Sequence, residues 1–123
     1  MKLRIKGNSL RLRLTRPEVQ RLVEQGSVTE TTAFAAAAEF SYAVRVNAAA
    51  QNLSAEYAAA RMTVTIPTEQ AAQWAASELV GVYSEMATAD GTLTIAVEKD
   101  FACIDRDDPE EADAFPNPKR DEC

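Results

Sequence analysis

Histidine is absent from the 123 residues, and with it go the commonest general base, the commonest metal ligand and any histidine-centred catalytic triad. Cysteine is scarce. Cys103 and Cys123 are the only two, which makes a poor zinc site within one chain, although two chains would supply four ligands. No apolar run approaches the roughly 20 residues that a membrane helix needs, so a soluble protein without a membrane partner is expected. The opening residues MKLRIKGNSL alternate charge with apolar side chains. They lack the continuous apolar stretch of a secretory signal, and the resulting expectation is a cytoplasmic protein with an intact N-terminus.

What is present points to a globular chain. Hydrophobic residues make up 46% and charged residues 26% of the sequence, and the length fits one domain, 1–123, with a real core. The net charge of −6 disfavours non-specific nucleic-acid binding by the chain as a whole, but a local basic patch can still bind. The charge is unevenly spread. Residues 1–22 hold Lys2, Arg4, Lys6, Arg11, Arg13, Arg16 and Arg21 against Glu18 alone, whereas residues 99–123 hold nine acids against four bases.

Leu3 and Ile5, then Leu10, Leu12 and Leu14, change parity across Gly7-Asn8, as in a hairpin with a two-residue turn that pairs Ile5 with Leu10 and Leu3 with Leu12. Thr15-Arg-Pro-Glu18 then offers a capping box with proline in the first helical turn. Val19, Leu22 and Val23 share a helix face, and Gly26 is the natural left-handed stop. A second hairpin is expected from the alternating residues Val28 to Phe34 and Phe40 to Val46, with Ala35 to Ala38 between them and Asn47 to Asn52 as a linker. The pattern recurs at an offset of about 52. Leu10, Leu12 and Leu14 map onto Met62, Val64 and Ile66; Val19, Leu22 and Val23 onto Ala71, Trp74 and Ala75; Val28 onto Val80. Tyr42, Val44 and Val46 map onto Leu93, Ile95 and Val97 at 51. Ala59-Ala60, at the place of the first turn, is poor turn chemistry and suggests a longer loop. Asp90-Gly91 marks the last turn and pairs Met86 with Ile95.

The expected fold is therefore α+β. It is an antiparallel, barrel-like or strongly curved sheet of about eight strands with two short helices, built as a pseudo-twofold repeat of a ββαββ unit over residues 1–47 and 53–98. Residues 99–123 form an extended acidic tail packed on the domain, pinned by Phe101 and Phe115. Trp74 is expected as a core anchor.

The same register that turns Ile5 inward places Lys2, Arg4, Lys6, Arg11 and Arg13 on the opposite face, Arg4 across from Arg11 and Lys2 across from Arg13. Like charges facing each other across a ribbon are destabilising, so this row is the candidate anion-binding site. Its bland counterpart is neutralisation by solvent or by the chain's own tail. In that tail, Asp105, Asp107, Asp108, Glu110, Glu111 and Asp113 do not have the spacing of a calcium loop, and no metal is expected. A Cys103–Cys123 disulfide would close a loop of about 20 residues and contribute about 3 kcal/mol in the chain-entropy model. Reducing cytosol favours free thiols.

The stretches KGNSLRLRLTRPEV (6–19), VEKDFACIDR (97–106) and PNP (116–118) together resemble the bacterial domain-of-unknown-function family DUF7009. The resemblance implies a small free-standing bacterial protein and carries over no functional residue. Gly7 to Val19 is also similar to the hairpin-helix segment of the swapped-hairpin transcription factors of the AbrB and antitoxin class, which would make Lys6, Arg11 and Arg13 phosphate contacts in a dimer. The leading expectation is a non-enzymatic binding or interaction module, without a cofactor, whose basic first hairpin receives an anionic ligand or an acidic protein segment. DNA binding by that hairpin is the alternative, as monomer or homodimer. Nothing assembles a nucleophile, a base and oxyanion donors at recognisable spacing.

Overall fold

The computed structural model describes residues 1–101 and Phe115. Cys103, Cys123 and the acids from Asp105 to Asp113 lie outside the described residues, and with them the expectations about thiols and tail. The elements run β1 (Lys2–Ile5), β2 (Ser9–Leu14), α1 (Arg16–Gln25), β3 (Ser27–Ala33), β4 (Glu39–Asn47), β5 (Ser54–Ala58), β6 (Arg61–Pro67), α2 (Thr68–Ala76), β7 (Gly81–Thr88) and β8 (Gly91–Lys99). Neither helix is long and apolar enough to cross a membrane.

Local chemistry accounts for most of these boundaries. Gly7 adopts φ 52° in the first turn, closed by Lys6 N–H donating to the Ser9 carbonyl at 3.1 Å. At α1 the Glu18 carboxylate accepts from the Thr15 amide and the Thr15 hydroxyl, both at 2.9 Å, and Gly26 ends the helix in the left-handed region at φ 91°. Val19 and Leu22 are buried, but Val23 is 46% exposed, so the apolar face is narrower than the spacing suggested. Ala35–Ala37 makes one tight turn with Ala36 and Ala37 at positive φ, joining β3 to β4 as expected. Ala59 and Ala60 also sit at φ 52° and 59° and form a two-residue turn, since Ala58 pairs with Arg61. The longer loop expected there does not occur.

The antiparallel barrel does not form. Two separate four-stranded mixed sheets do, in the orders β1-β2-β8-β7 and β3-β4-β6-β5. Each helix carries the chain from one sheet to the other, so β2 and β3 never become neighbours, and each hairpin is joined by its inner strand to a hairpin from the other half. Those joints, β2 with β8 and β4 with β6, are parallel. Two registers also differ from expectation. Thr88 pairs with Gly91, and Met86 therefore faces Leu93 rather than Ile95. The slip is two residues, which leaves every side chain on its expected face. After α2 the segment to β7 runs from Ser77 to Val80. It is longer than the link after α1, so Val82 is the buried counterpart of Val28, while Val80 is 48% exposed. In the parallel registers Val44 lies beside Val64 and Val97 beside Leu12, so Val97 rather than Ile95 stands to β2 as Val44 does to β6.

One core fills the space between the sheets. Leu10, Leu12, Leu14, Val82, Ile95 and Val97 from one sheet meet Val28, Val44, Met62, Val64 and Ile66 from the other, capped by Leu22, Ala71 and Trp74 of the helices. Trp74 is fully buried, and its indole N–H donates to the Val80 carbonyl at 3.1 Å. The sheet edges are linked by side chains rather than by a ladder. On one flank the Ser84 hydroxyl donates to the Leu53 carbonyl at 2.6 Å. On the other, the Met1 ammonium donates to Glu18 and to Glu30, and the Tyr42 hydroxyl donates to the Met1 carbonyl at 3.1 Å. Phe101 is 55% and Phe115 97% exposed, so the Phe115 ring is not the pin expected of it.

Two outcomes follow for stability. Alanine in the left-handed region is strained by roughly 1 kcal/mol per residue. Ala59→Asn with Ala60→Gly, the residues such a turn favours, should raise the free energy of unfolding by about 1–2 kcal/mol in urea titrations. At Glu18, burial acts to raise the carboxyl's pKa. The hydrogen bonds from the Met1 ammonium and from Thr15, with the ammonium's charge, outweigh it, and the net shift is downward from 4.5. Because the folded value is depressed, the carboxylate stabilises the fold above pH 4.5 and ceases to as pH falls through the folded value. Glu18→Gln should cost about 1–2 kcal/mol at pH 7, and the gap between variant and wild type should close on acidification towards pH 3.

Candidate functional site

Lys2, Arg4, Lys6, Arg11 and Arg13, the expected anion-binding row, belong to the first hairpin and its turn. The β1–β2 register sets Lys2 opposite Arg13 and Arg4 opposite Arg11. Lys2, Arg4 and Lys6 are exposed, and Arg11 and Arg13 are half-buried. Arg4, Lys6, Gly7, Ser9 and Arg11 line a depression of about 460 Å³. The adjoining turn is tied to β8: the Asn8 side-chain amide donates to the Thr92 carbonyl at 2.7 Å, and the Thr94 amide donates to the Asn8 carbonyl at 3.0 Å.

Four further residues join this face because β8 lies beside β2 and β7 beside β8. Parallel pairing sets Glu98 next to Arg13 and Ala96 next to Arg11. Beyond them β7 contributes Gly81 and Tyr83. The Glu98 Oε1 atom lies 3.2 Å from Arg11 Nε and 3.9 Å from Arg13 Nε. Its other oxygen accepts the Tyr83 hydroxyl at 2.7 Å. Burial, with the hydrogen bond to Glu98 and that carboxylate's charge, pushes the Tyr83 phenol up to about 12, against a smaller opposing pull from Arg11. At the end of the row, Lys2 Nζ pairs with Asp100 Oδ2 at 3.2 Å, and the Asp100 amide donates to the Leu14 carbonyl at 2.8 Å. The chain thus leaves its last strand at the edge of the basic face.

Gly81 makes the Tyr83–Glu98 contact sterically feasible. A Cβ there would stand 2.7 Å from the Val97 carbonyl oxygen, 2.9 Å from Glu98 Cγ and 2.9 Å from the Tyr83 hydroxyl oxygen. Glu98 was not singled out from the sequence; the alternation of Leu93, Ile95 and Val97 implies its outer face by parity but does not say that β2 is its neighbour. Tyr83 and Gly81 carried no signal that singled them out. Among the described residues no group of three or more cysteines, aspartates and glutamates is placed to hold a metal ion.

The family model for DUF7009, a family of unknown function, matches residues 1–119. The chain belongs to that family. No curated protein and no solved structure matches it. DUF7009 membership fits the resemblance carried by the 6–19, 97–106 and 116–118 segments, and what the face does rests on its chemistry.

Gly81→Ala should destabilise the DUF7009 fold by about 1–3 kcal/mol, because a backbone carbonyl cannot swing aside as a flexible side chain can. The same substitution should lower the pH at which Tyr83 ionises, read by ultraviolet absorbance, and its stability penalty should shrink in a Tyr83→Phe background.

Proposed function

We propose that this protein is a non-enzymatic binding module whose outer β1–β2 face receives an acidic polypeptide segment. The observation that carries the reading is a contrast between the two sheets. At an offset of 52, Lys2, Arg4, Lys6, Arg11 and Arg13 correspond to Ser54, Glu56, Ala58, Thr63 and Thr65, and β5 and β6 pair these residues in the same register, Ser54 with Thr65 and Glu56 with Thr63. A hairpin of this fold therefore forms with no cation at those positions. The basic row is not what folding requires, and a row of like charges disfavours the ribbon by itself.

Spacing favours an extended acidic strand as the occupant. Alternate residues on one strand face are about 6.6–6.8 Å apart, the period at which Lys2, Arg4 and Lys6, and Arg11 and Arg13, recur. A polypeptide with acids at every second position matches it. Asp105 and Asp107, Asp108 and Glu110, and Glu111 and Asp113 have that spacing, and the Lys2–Asp100 pair starts the chain along this face. The chain's own tail is thus one such segment, and a partner's acidic segment would compete with it. Equivalence of the halves 1–47 and 53–98 as ββαββ units belongs to the same proposal. Exchanging β1–β4 with β5–β8 turns the strand order of each sheet into that of the other.

The experiment is titration of poly-L-glutamate and of duplex DNA into the full chain and into a version ending at Asp100, at about 50 and 200 mM salt. Arg11→Glu/Arg13→Glu serves as control and thermal unfolding as a check on folding. Polyglutamate binding that strengthens on truncation and disappears in the control is expected. Tighter binding of DNA than of polyglutamate would transfer the face to a nucleic-acid role, and no binding by either form would refute the proposal.

A further inference from the structure

Glu98 sits where a purely anion-binding surface has no use for it. It is 15% exposed and faces two guanidinium groups through one oxygen, while the other oxygen is fixed by the Tyr83 hydroxyl at 2.7 Å. Strand pairing shows that the fold does not require a carboxylate at this place. The residue beside Thr65 in the other sheet, as Glu98 is beside Arg13, is Arg45. Its Nε donates to the Thr65 hydroxyl at 3.1 Å. A cation on one sheet and an anion on the other thus occupy matching positions.

We infer that Glu98 is a specificity-determining residue: a built-in carboxylate that lets the basic face accept widely spaced carboxylates and turns away densely charged phosphate backbones. This deepens the proposed acidic-segment reading and rests on it. The chemistry follows from counting charges and donors. A guanidinium has five N–H donors, and Glu98 approaches Arg11 and Arg13 from the side of Nε, at 3.2 and 3.9 Å, a contact that does not itself use the four donors on each pair of terminal nitrogens. Glu98 therefore orients Arg11 and Arg13 without exhausting them, and brings their combined charge from +2 to +1. An extended acidic strand presents one carboxylate per 6.6–6.8 Å or so on a face. It can place its charges over the cations and a neutral residue over Glu98. Duplex DNA carries one charge per roughly 1.7 Å of axis, so several phosphates fall within the roughly 10 Å screening length of Glu98 at 0.1 M salt. A fixed carboxylate repels the second ligand more than the first.

The test compares full-length wild type with Glu98→Gln, which keeps the side-chain length and an oxygen acceptor while removing the charge. Fluorescence anisotropy would follow a 20-base-pair duplex and a labelled poly-L-glutamate of matched length. Glu98→Gln should tighten duplex binding about five- to tenfold at roughly 50 mM salt and steepen its log–log salt dependence by about 0.9, the effect of one added cation. Polyglutamate affinity should rise by less than about threefold on the same argument from charge spacing. Adding Arg11→Gln/Arg13→Gln should abolish the gain. Tyrosine absorbance gives a readout independent of binding: the ionisation pushed up to about 12 at Tyr83 should move down in Glu98→Gln.

If the duplex and polyglutamate gain equally, or neither gains while wild type still binds polyglutamate, Glu98 is not a selector and the acidic-segment reading stands without it. If no polyanion binds either protein while the tyrosine titration still shifts, the Tyr83–Glu98 contact is structural, and the reading of the basic face fails along with the inference.

Discussion

The parallel joint between β2 and β8 is the interaction on which the rest of the structure depends. It sets Leu10 beside Ile95 and Leu12 beside Val97, four residues at the centre of the buried core. Without it the first hairpin has two strands, and isolated two-stranded ribbons are marginally stable at best in water. The β4–β6 joint does the same for the other sheet, with Val44 beside Val64. Because each joint links residues far apart in sequence, neither half of the chain can complete a sheet alone, and loop-closure entropy must be overcome before either is formed.

The same joint determines the surface chemistry. Turning Leu10, Leu12, Ile95 and Val97 inward leaves Arg11, Arg13, Ala96 and Glu98 on the outer face as neighbours, so the core pattern and the charged face are two sides of one register. A slip by one residue would send the arginines into the core. Burying them there is so unfavourable that the polar row helps to enforce the apolar one. The flanks of the sandwich are less constrained. They are joined by Ser84 to Leu53 and by the Met1, Glu18, Glu30 and Tyr42 cluster, in place of backbone ladders, so two separate sheets exist where one barrel-like or strongly curved sheet was expected.

The elements read most directly from sequence are those specified by neighbours a few residues away. Thr15, Pro17, Glu18 and Gly26 delimit a helix wherever it docks, and the parity change across Gly7-Asn8 specifies both the first hairpin and the facing of Arg4 with Arg11. Pairing partners beyond the hairpin are a different kind of information. A period of two says which face a residue takes but not which strand lies alongside, so Glu98 was legible as an outer-face residue and not as the neighbour of Arg13. The Ala59-Ala60 turn escaped because tertiary pairing of Ala58 with Arg61 overrides the poor intrinsic preference of alanine for positive φ. Gly81 escaped because its role is set by the Val97 carbonyl and by a Tyr83 phenol held against Glu98, groups that come together only when β7 and β8 pair.

The two sheets also separate what folding needs from what function needs. Both bury comparable aliphatic rows, so the inward positions are constrained by packing and are legible as such. Their outward positions differ in kind: cations with one embedded carboxylate on β1, β2 and β8, against Ser54, Glu56, Thr63, Thr65 and Arg45 on β5, β6 and β4. Neighbouring arginines of one strand sharing a single carboxylate are a poor means of stabilising a ribbon, since exposed ion pairs contribute at most about 1 kcal/mol and are weakened by salt, while cross-strand pairs without facing like charges serve the other sheet. A like-charged row beside Glu98 and Tyr83, with Gly81 leaving room for their contact, is what the proposed binding role would use. On the proposed reading the pattern would be selective because it is mixed: a wholly basic ribbon would attract any polyanion, whereas cations at every second residue around a fixed carboxylate favour a ligand whose own charges are spaced like those of an extended strand.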